Sequence, residues 1–137
     1  MNTNKDVLLK DLPFKKSEFG NLFVFDYEKD LGKIIKRSFL VNCSEKAHRG
    51  KHEHKNLTQF LVCINGICKV RCDDGSSKKE ITLDRPNKLL KIPNQIWAEQ
   101  FYQEKNTSLL VMCDDIYKEN DYIRDYKLFL KYRQVLN

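Results

Sequence analysis

Residues 48–60 read HRGKHEHKNLTQF and gather all three histidines of the chain, two lysines, an arginine and a glutamine into thirteen positions. Imidazole takes up and releases a proton near neutral pH and is also the commonest metal ligand. The stretch therefore reads as an acid–base site, a metal site or a solvated polar loop. His52 and His54 lie two apart, so in a strand their rings emerge from one face, whereas in a helix they would diverge. Arg37 and Arg49 flank the cluster and offer planar, paired donors for phosphate oxygens, unless they are plain surface arginines. Lys55 is a weaker candidate of the same kind, and Trp97 either stacks on a ligand or fills the core.

These groups need a scaffold, and the apolar pattern supplies one of short strands. LFVFDYE, KIIKRSFLVN, LTQFLVCI, ICKVRC, KEITL, KLLKI and SLLVM follow one another from Gly20 to Met112 with turn signals about every ten residues. Asn65-Gly66 predicts a type I′ hairpin between LTQFLVCI and ICKVRC, and Asp74-Gly75 a turn from ICKVRC toward KEITL. Only near the end does the period change. After Asn120-Asp121, the residues Tyr122, Ile123, Tyr126, Phe129, Leu130 and Arg133 recur at helical spacing, which predicts one amphipathic helix over 120–134. The fold class expected is all-β with a C-terminal helix, in one domain spanning 1–137.

The charged fraction of 32% and the apolar fraction of 41% are mixed along the chain, as in a folded globular protein. The longest apolar run, Phe60 to Ile64, is far too short to span a bilayer, and MNTNKDVLLKDL has no signal-like apolar core. A cytoplasmic protein without membrane contact is expected. Five cysteines without a C-x-x-C pair fit neither a disulfide framework nor a zinc ribbon, so they read as reduced, mostly buried thiols. The net charge of +6 favours an anionic partner, but no all-basic run marks a nucleic-acid footprint.

With a register available, the opening stretch becomes H-x-H-x4-Q-x6-G, from His52 and His54 through Gln59 to Gly66. This resembles the first motif of the cupins, small antiparallel jelly-roll-like β-barrels in which H-x-H and a following glutamate bind a metal. Gln59 replaces that carboxylate, and KIPNQIWAEQF carries Trp97 and Ala98 where the second cupin motif has its last histidine. Two histidines alone are too few for zinc or iron, so neither metal nor other cofactor is expected. A narrower likeness covers residues 36–132: R-G-x-H-x-H-K at Arg49 to Lys55, Gln59, Leu61, Asn65-Gly66, Asp73-Asp74-Gly75, Leu83-Asp84-Arg85-Pro86, Trp97, Leu109-Leu110-Val111, Tyr117, and DYIR-x-Y from Asp121 to Tyr126. This pattern resembles the dTDP-4-keto-6-deoxyglucose 3,4-ketoisomerases, metal-free cupins of bacterial deoxysugar pathways.

That resemblance implies a ketone moved from C4 to C3 of a dTDP-linked sugar by acid–base proton transfer, in making unusual deoxy or amino sugars for a surface glycan such as lipopolysaccharide or an S-layer. It implies His52 as the base with His54 beside it, and Arg37, Arg49, Lys55, Gln59, Trp97 and Glu99 as groups around the substrate. It also implies a homodimer whose N-terminal strands, within 1–35, join the partner's sheet. Two positions depart from the pattern. Phe39 stands where the family has a tyrosine thought to act as an acid, and without a hydroxyl it cannot pass a proton; His48, His54, Glu99 or a water would have to replace it. Phe19 stands where an arginine or tyrosine is associated with the reprotonated face of C4. A catalytically silent nucleotide-sugar-binding cupin is the rival these two departures suggest.

Overall fold

The structure, a computed structural model, describes residues 1–136. Its strands are β1 (Leu8–Asp11), β2 (Lys15–Ser17), β3 (Gly20–Leu22), β4 (Arg37–Cys43), β5 (Ala47–His54), β6 (Gln59–Asn65), β7 (Cys68–Asp73), β8 (Lys78–Leu83), β9 (Lys88–Ile92), β10 (Trp97–Tyr102), β11 (Thr107–Cys113) and β12 (Tyr122–Ile123), followed by the helix α1 (Tyr126–Leu136). They form two five-stranded antiparallel sheets, β1-β9-β6-β11-β4 and β12-β5-β10-β7-β8, with β2-β3 as a separate hairpin. The fold is thus mostly β with one C-terminal helix, as expected, but the two ladders stay separate and do not close into one barrel.

Period-two alternation decides what lies between the sheets. In β4 the half-buried Arg37, Phe39 and Val41 alternate with the exposed Ser38, Leu40 and Asn42. Leu61, Cys63, Leu90, Ile92, Leu109 and Val111 of the first sheet meet Cys68, Val70, Cys72, Ala98 and Tyr102 of the second in one core. Each of the leucines, isoleucines and valines among them contributes about 1.5–3 kcal/mol by burial. All five cysteines are free and buried. A second cluster lies on the outer face of the first sheet, where Leu12, Leu31, Phe25 and Ile35 cover Phe60, Val62, Leu89 and Met112.

Three local expectations are corrected. Asn65-Gly66 does not close a hairpin, because β6 and β7 belong to different sheets. Of the two only Gly66 has positive φ, at 79°, and a Cβ there would meet Thr107 Oγ1 at 2.4 Å, so the pair forms a corner crossing between layers. The stretch LFVFDYE is a strand only at Leu22; Asp26 accepts from Lys29 N at 2.9 Å and starts a short helical turn over Tyr27–Leu31, ended by Gly32 at φ 67°. The C-terminal helix begins later than expected. Asp125, not Asp121, caps it by accepting from Leu128 N at 3.0 Å, and Tyr122 and Ile123 instead pair with His54 and Glu53 as β12. Asp74-Gly75 does join β7 to β8 as an antiparallel pair.

Candidate active site

The histidine segment is strand β5, lying between β10 and β12. Its register against β10 slips at one point: Ala98 faces His52 and Glu99 faces Gly50, leaving Lys51 as an extra residue. Gly50 (φ 83°) and Lys51 (φ 58°) form this bulge, and a Cβ on Gly50 would stand 3.0 Å from the Ala98 carbonyl oxygen. A bulge re-aims every side chain before it. Without the extra residue His48 and His52, four apart, would share a face; with it, they lie on opposite faces of the sheet.

On the inner face His52 and His54 meet edge to face, with ring centroids 5.0 Å apart. Tyr122 packs against both, at 5.0 Å from His52 and 4.2 Å from His54. The His54 Nδ1–H donates to Asp121 Oδ2 at 3.1 Å, and both side chains are buried. Asp121 is itself fixed, since its other oxygen accepts from Asn56 N at 2.8 Å and its carbonyl from Lys55 N at 2.9 Å. Burial and the neighbouring His52 push His54 down to about 4, against the pull of Asp121. Burial also lowers His52, opposed by a backbone contact at Gly50. Both rings are therefore neutral at pH 7, ready to accept a proton.

Across the interior stand Arg37, Phe39, Gln59 and Cys113. Cys113 faces both Arg37 and Gln59 across the ladders, and Gln59 donates weakly to its Sγ at 3.9 Å. The Arg37 guanidinium lies 4.8 Å from the Phe39 ring and 5.2 Å from that of Tyr117, which in turn is 5.7 Å from Tyr122. Arg124 covers Tyr122 at 4.1 Å and is held by Glu119 through contacts of 2.8 and 3.0 Å. Three polar atoms here are buried without a partner: Arg37 Nη1, His52 Nδ1 and His54 Nε2. Native interiors rarely leave such atoms bare, so the two ring nitrogens, on imidazoles 5.0 Å apart, mark a candidate place for a polar ligand.

Several sequence candidates lie elsewhere. Glu99 alternates with Ala98 and Gln100 and so points outward, where Oε1 meets His48 Nε2 at 2.7 Å and Oε2 accepts from Trp97 Nε1 at 3.2 Å. Trp97 is buried beneath α1, with Tyr126 at 5.3 Å and Phe129 at 5.7 Å, on the sheet face opposite His52 and His54. His48 and Glu99, two of the candidates to replace the missing Phe39 hydroxyl, thus pair with each other on the face opposite His52 and His54. Phe19 is 94% exposed on the β2-β3 hairpin and reaches no site within its own chain. Arg49 pairs with Gln100 on the face of His52 but is exposed, and Lys55 is half-buried just past the end of β5. Sequence reasoning missed Asp121 and Tyr122 as site residues. The DYIR motif was the available signal, but reading it as a helix start turned its side chains the wrong way.

Among the described residues no group of three or more His, Cys, Asp or Glu side chains is arranged to hold a metal ion. The sheets, with a histidine pair and polar groups facing the space between them, define a sugar-nucleotide isomerase class shared by solved structures of high similarity. One is a 3,4-ketoisomerase from Helicobacter canadensis, 34% identical with a TM-score of 0.90, covering 94% of this chain and 98% of that one. Another, from Thermoanaerobacterium thermosaccharolyticum and bound to TDP, is 30% identical with a TM-score of 0.90, covering 96% of each chain. A curated relative, the TDP-4-oxo-6-deoxy-alpha-D-glucose-3,4-oxoisomerase of Aneurinibacillus thermoaerophilus, is 37% identical over 131 residues, 93% of this chain and 94% of that protein. Residues 5–134 match the family described as FdtA, WxcM-like, C-terminal, and the chain belongs to that family.

Proposed function

We infer that the protein is a dTDP-sugar 3,4-ketoisomerase that converts dTDP-4-keto-6-deoxyglucose into its 3-keto isomer. The observation that carries this reading is the inner-face histidine pair, two neutral imidazoles 5.0 Å apart whose Nδ1 (His52) and Nε2 (His54) are buried without a partner. A histidine-to-asparagine variant of the Thermoanaerobacterium enzyme was solved with TDP-4-keto-6-deoxyglucose, which supports a histidine as the group whose removal leaves substrate bound. In our reading His52 takes the proton from C3 and returns one to C4, and the Asp121-held His54 supports it. Arg37 meets the diphosphate, Arg49 and Lys55 stand at the rim, and Gln59 and Phe39 line the sugar. No metal or cofactor enters the reaction. The 3-keto product is suited to a following amino transfer, in building a deoxysugar for a surface glycan.

The active form we propose is a cytoplasmic homodimer, each chain a single cupin domain. A two-stranded hairpin is marginal alone, and β2-β3 pairs with nothing else in its chain. Phe19, Leu22, Val24 and Ile34 are exposed along this segment, and a cavity of about 390 Å³ between β1, β9 and the turn at Asp30-Leu31 is lined by Leu8, Leu9, Leu31, Phe60 and Leu89 with Lys10, Asp30 and Lys91. A second copy would cover these surfaces and carry its Phe19 toward the site.

Proton NMR of dTDP-4-keto-6-deoxyglucose with the protein in deuterated water tests the reading. The wild type is expected to exchange the C3 proton and accumulate the 3-keto isomer, whose couplings report galacto or gluco configuration. His52→Asn is expected to bind dTDP without exchange. Exchange retained in that variant removes His52 from the role, and a wild type that binds dTDP without exchange is a silent binding module.

A further inference from the structure

Moving a ketone from C4 to C3 needs two proton-handling groups. As the base removes the C3 proton, the C4 carbonyl oxygen must gain one to give an enediol; as C4 is reprotonated, the C3 hydroxyl must lose its own. Phe39 cannot be the second group. His54 is poorly placed for it too, since its single N–H is already donated to Asp121 and its Nε2 carries a lone pair. Cys113 is a buried thiol pushed up by that burial, and Tyr117 donates its hydroxyl to Glu119. One acid remains against the histidines.

We propose that Tyr122 is the acid–base partner of His52 in this protein, supplying the hydroxyl that position 39 lacks. This rests on the ketoisomerase reading above. The β12 register sets Tyr122 opposite His54, and its ring packs at 5.0 Å from His52 and 4.2 Å from His54. Among the described residues its hydroxyl forms no side-chain hydrogen bond. Arg124, itself clamped by Glu119, packs on the ring at 4.1 Å and holds its orientation. A tyrosine pinned on both sides has little rotamer freedom to lose when it engages the sugar. In the first half-reaction the C3 proton moves to His52 as the Tyr122 hydroxyl gives its proton to the C4 oxygen. In the second, the C3 hydroxyl returns a proton to Tyr122 as His52 protonates C4. C3 is oxidised, C4 is reduced by the same electron pair, and both side chains end as they began.

The test is a double-mutant cycle between positions 122 and 39, read as kcat, KM and dTDP affinity. Tyr122→Phe is expected to lower kcat roughly 100-fold or more, with KM and dTDP affinity near wild type. On the Phe39→Tyr background, where the other hydroxyl is restored, the same substitution should cost less than about 10-fold. Equal losses on both backgrounds, or a Tyr122→Phe variant as active as wild type, overturn the assignment. The ketoisomerase reading is judged separately, by wild-type turnover and its loss in His52→Asn, which Phe39→Tyr must not rescue.

Discussion

Strand β5 carries two histidine–carboxylate pairs, one on each face of the same sheet. The outer pair, His48 with Glu99, has the shorter contact, 2.7 Å against 3.1 Å for His54 with Asp121. Its side chains are 37% and 20% exposed, those of the inner pair 6% and 8%. Water screens the outer pair and competes for it, so its contribution is small despite the distance. The inner pair is shut away from solvent, where one hydrogen bond decides which ring nitrogen keeps its lone pair. Distance alone therefore ranks the two pairs wrongly; burial and the neighbouring unpartnered atoms rank them correctly.

Substitutions on the two faces put a measure on that difference. Among substitutions within the two pairs, the largest effect is expected from Asp121→Asn, whose amide can donate to Nδ1 and shift the His54 proton to Nε2. kcat should fall about 10- to 100-fold with dTDP affinity nearly unchanged, and an unaltered kcat would show that Asp121 serves packing only. Next comes the pH dependence of stability, followed by urea denaturation. Because His54 is held near 4 in the fold and returns to its ordinary value near 6.5 when unfolded, its contribution is present above pH 6.5 and is lost as pH falls toward 4.

Glu53, on the same strand, runs the other way. It is wholly buried, both oxygens lack partners, and burial raises it to about 7. Its protonated form is favoured by the fold, so its contribution is present below its ordinary value near 4.5 and is lost as pH rises through 7. Glu53→Gln should accordingly flatten the fall in stability between about pH 4.5 and 7, by on the order of 1–3 kcal/mol. A parallel pH curve would mean that Glu53 finds a partner in solution. A smaller change, under about threefold in kcat, is expected from His48→Asn or Glu99→Gln, as for a solvent-screened pair. A loss as large as that from Asp121→Asn would erase the distinction between the faces. Dialysis against a chelator is expected to change kcat least of all; loss of activity that a single metal restores would overturn the metal-free reading.

Much of the scaffold was legible because burial imposes a local period. KEITL, KLLKI and SLLVM fall within observed strands, and His52 and His54, two apart in an extended chain, share a face. Less legible were the places where distant segments compete for one stretch. Asn65-Gly66 has the composition of a hairpin turn, but the strands on either side find better partners in two different sheets. Asp121 and Tyr122 lie within a helical pattern, yet pairing with β5 packs their side chains against the histidines, Asp121 buried and Tyr122 half-buried, and delays the helix to Tyr126. Trp97 and Glu99 are the immediate neighbours of the inward-facing Ala98, and no spacing rule tells inner from outer. The sequence by itself determined the strand pattern, the histidine pair and the missing hydroxyl at Phe39, since these depend on residue type and short-range geometry alone. Only the tertiary structure decided which carboxylate holds which histidine, because the one-residue bulge at Gly50-Lys51 and the return of β12 to the sheet edge are long-range pairings, and a slip of one residue turns every side chain beyond it to the other face.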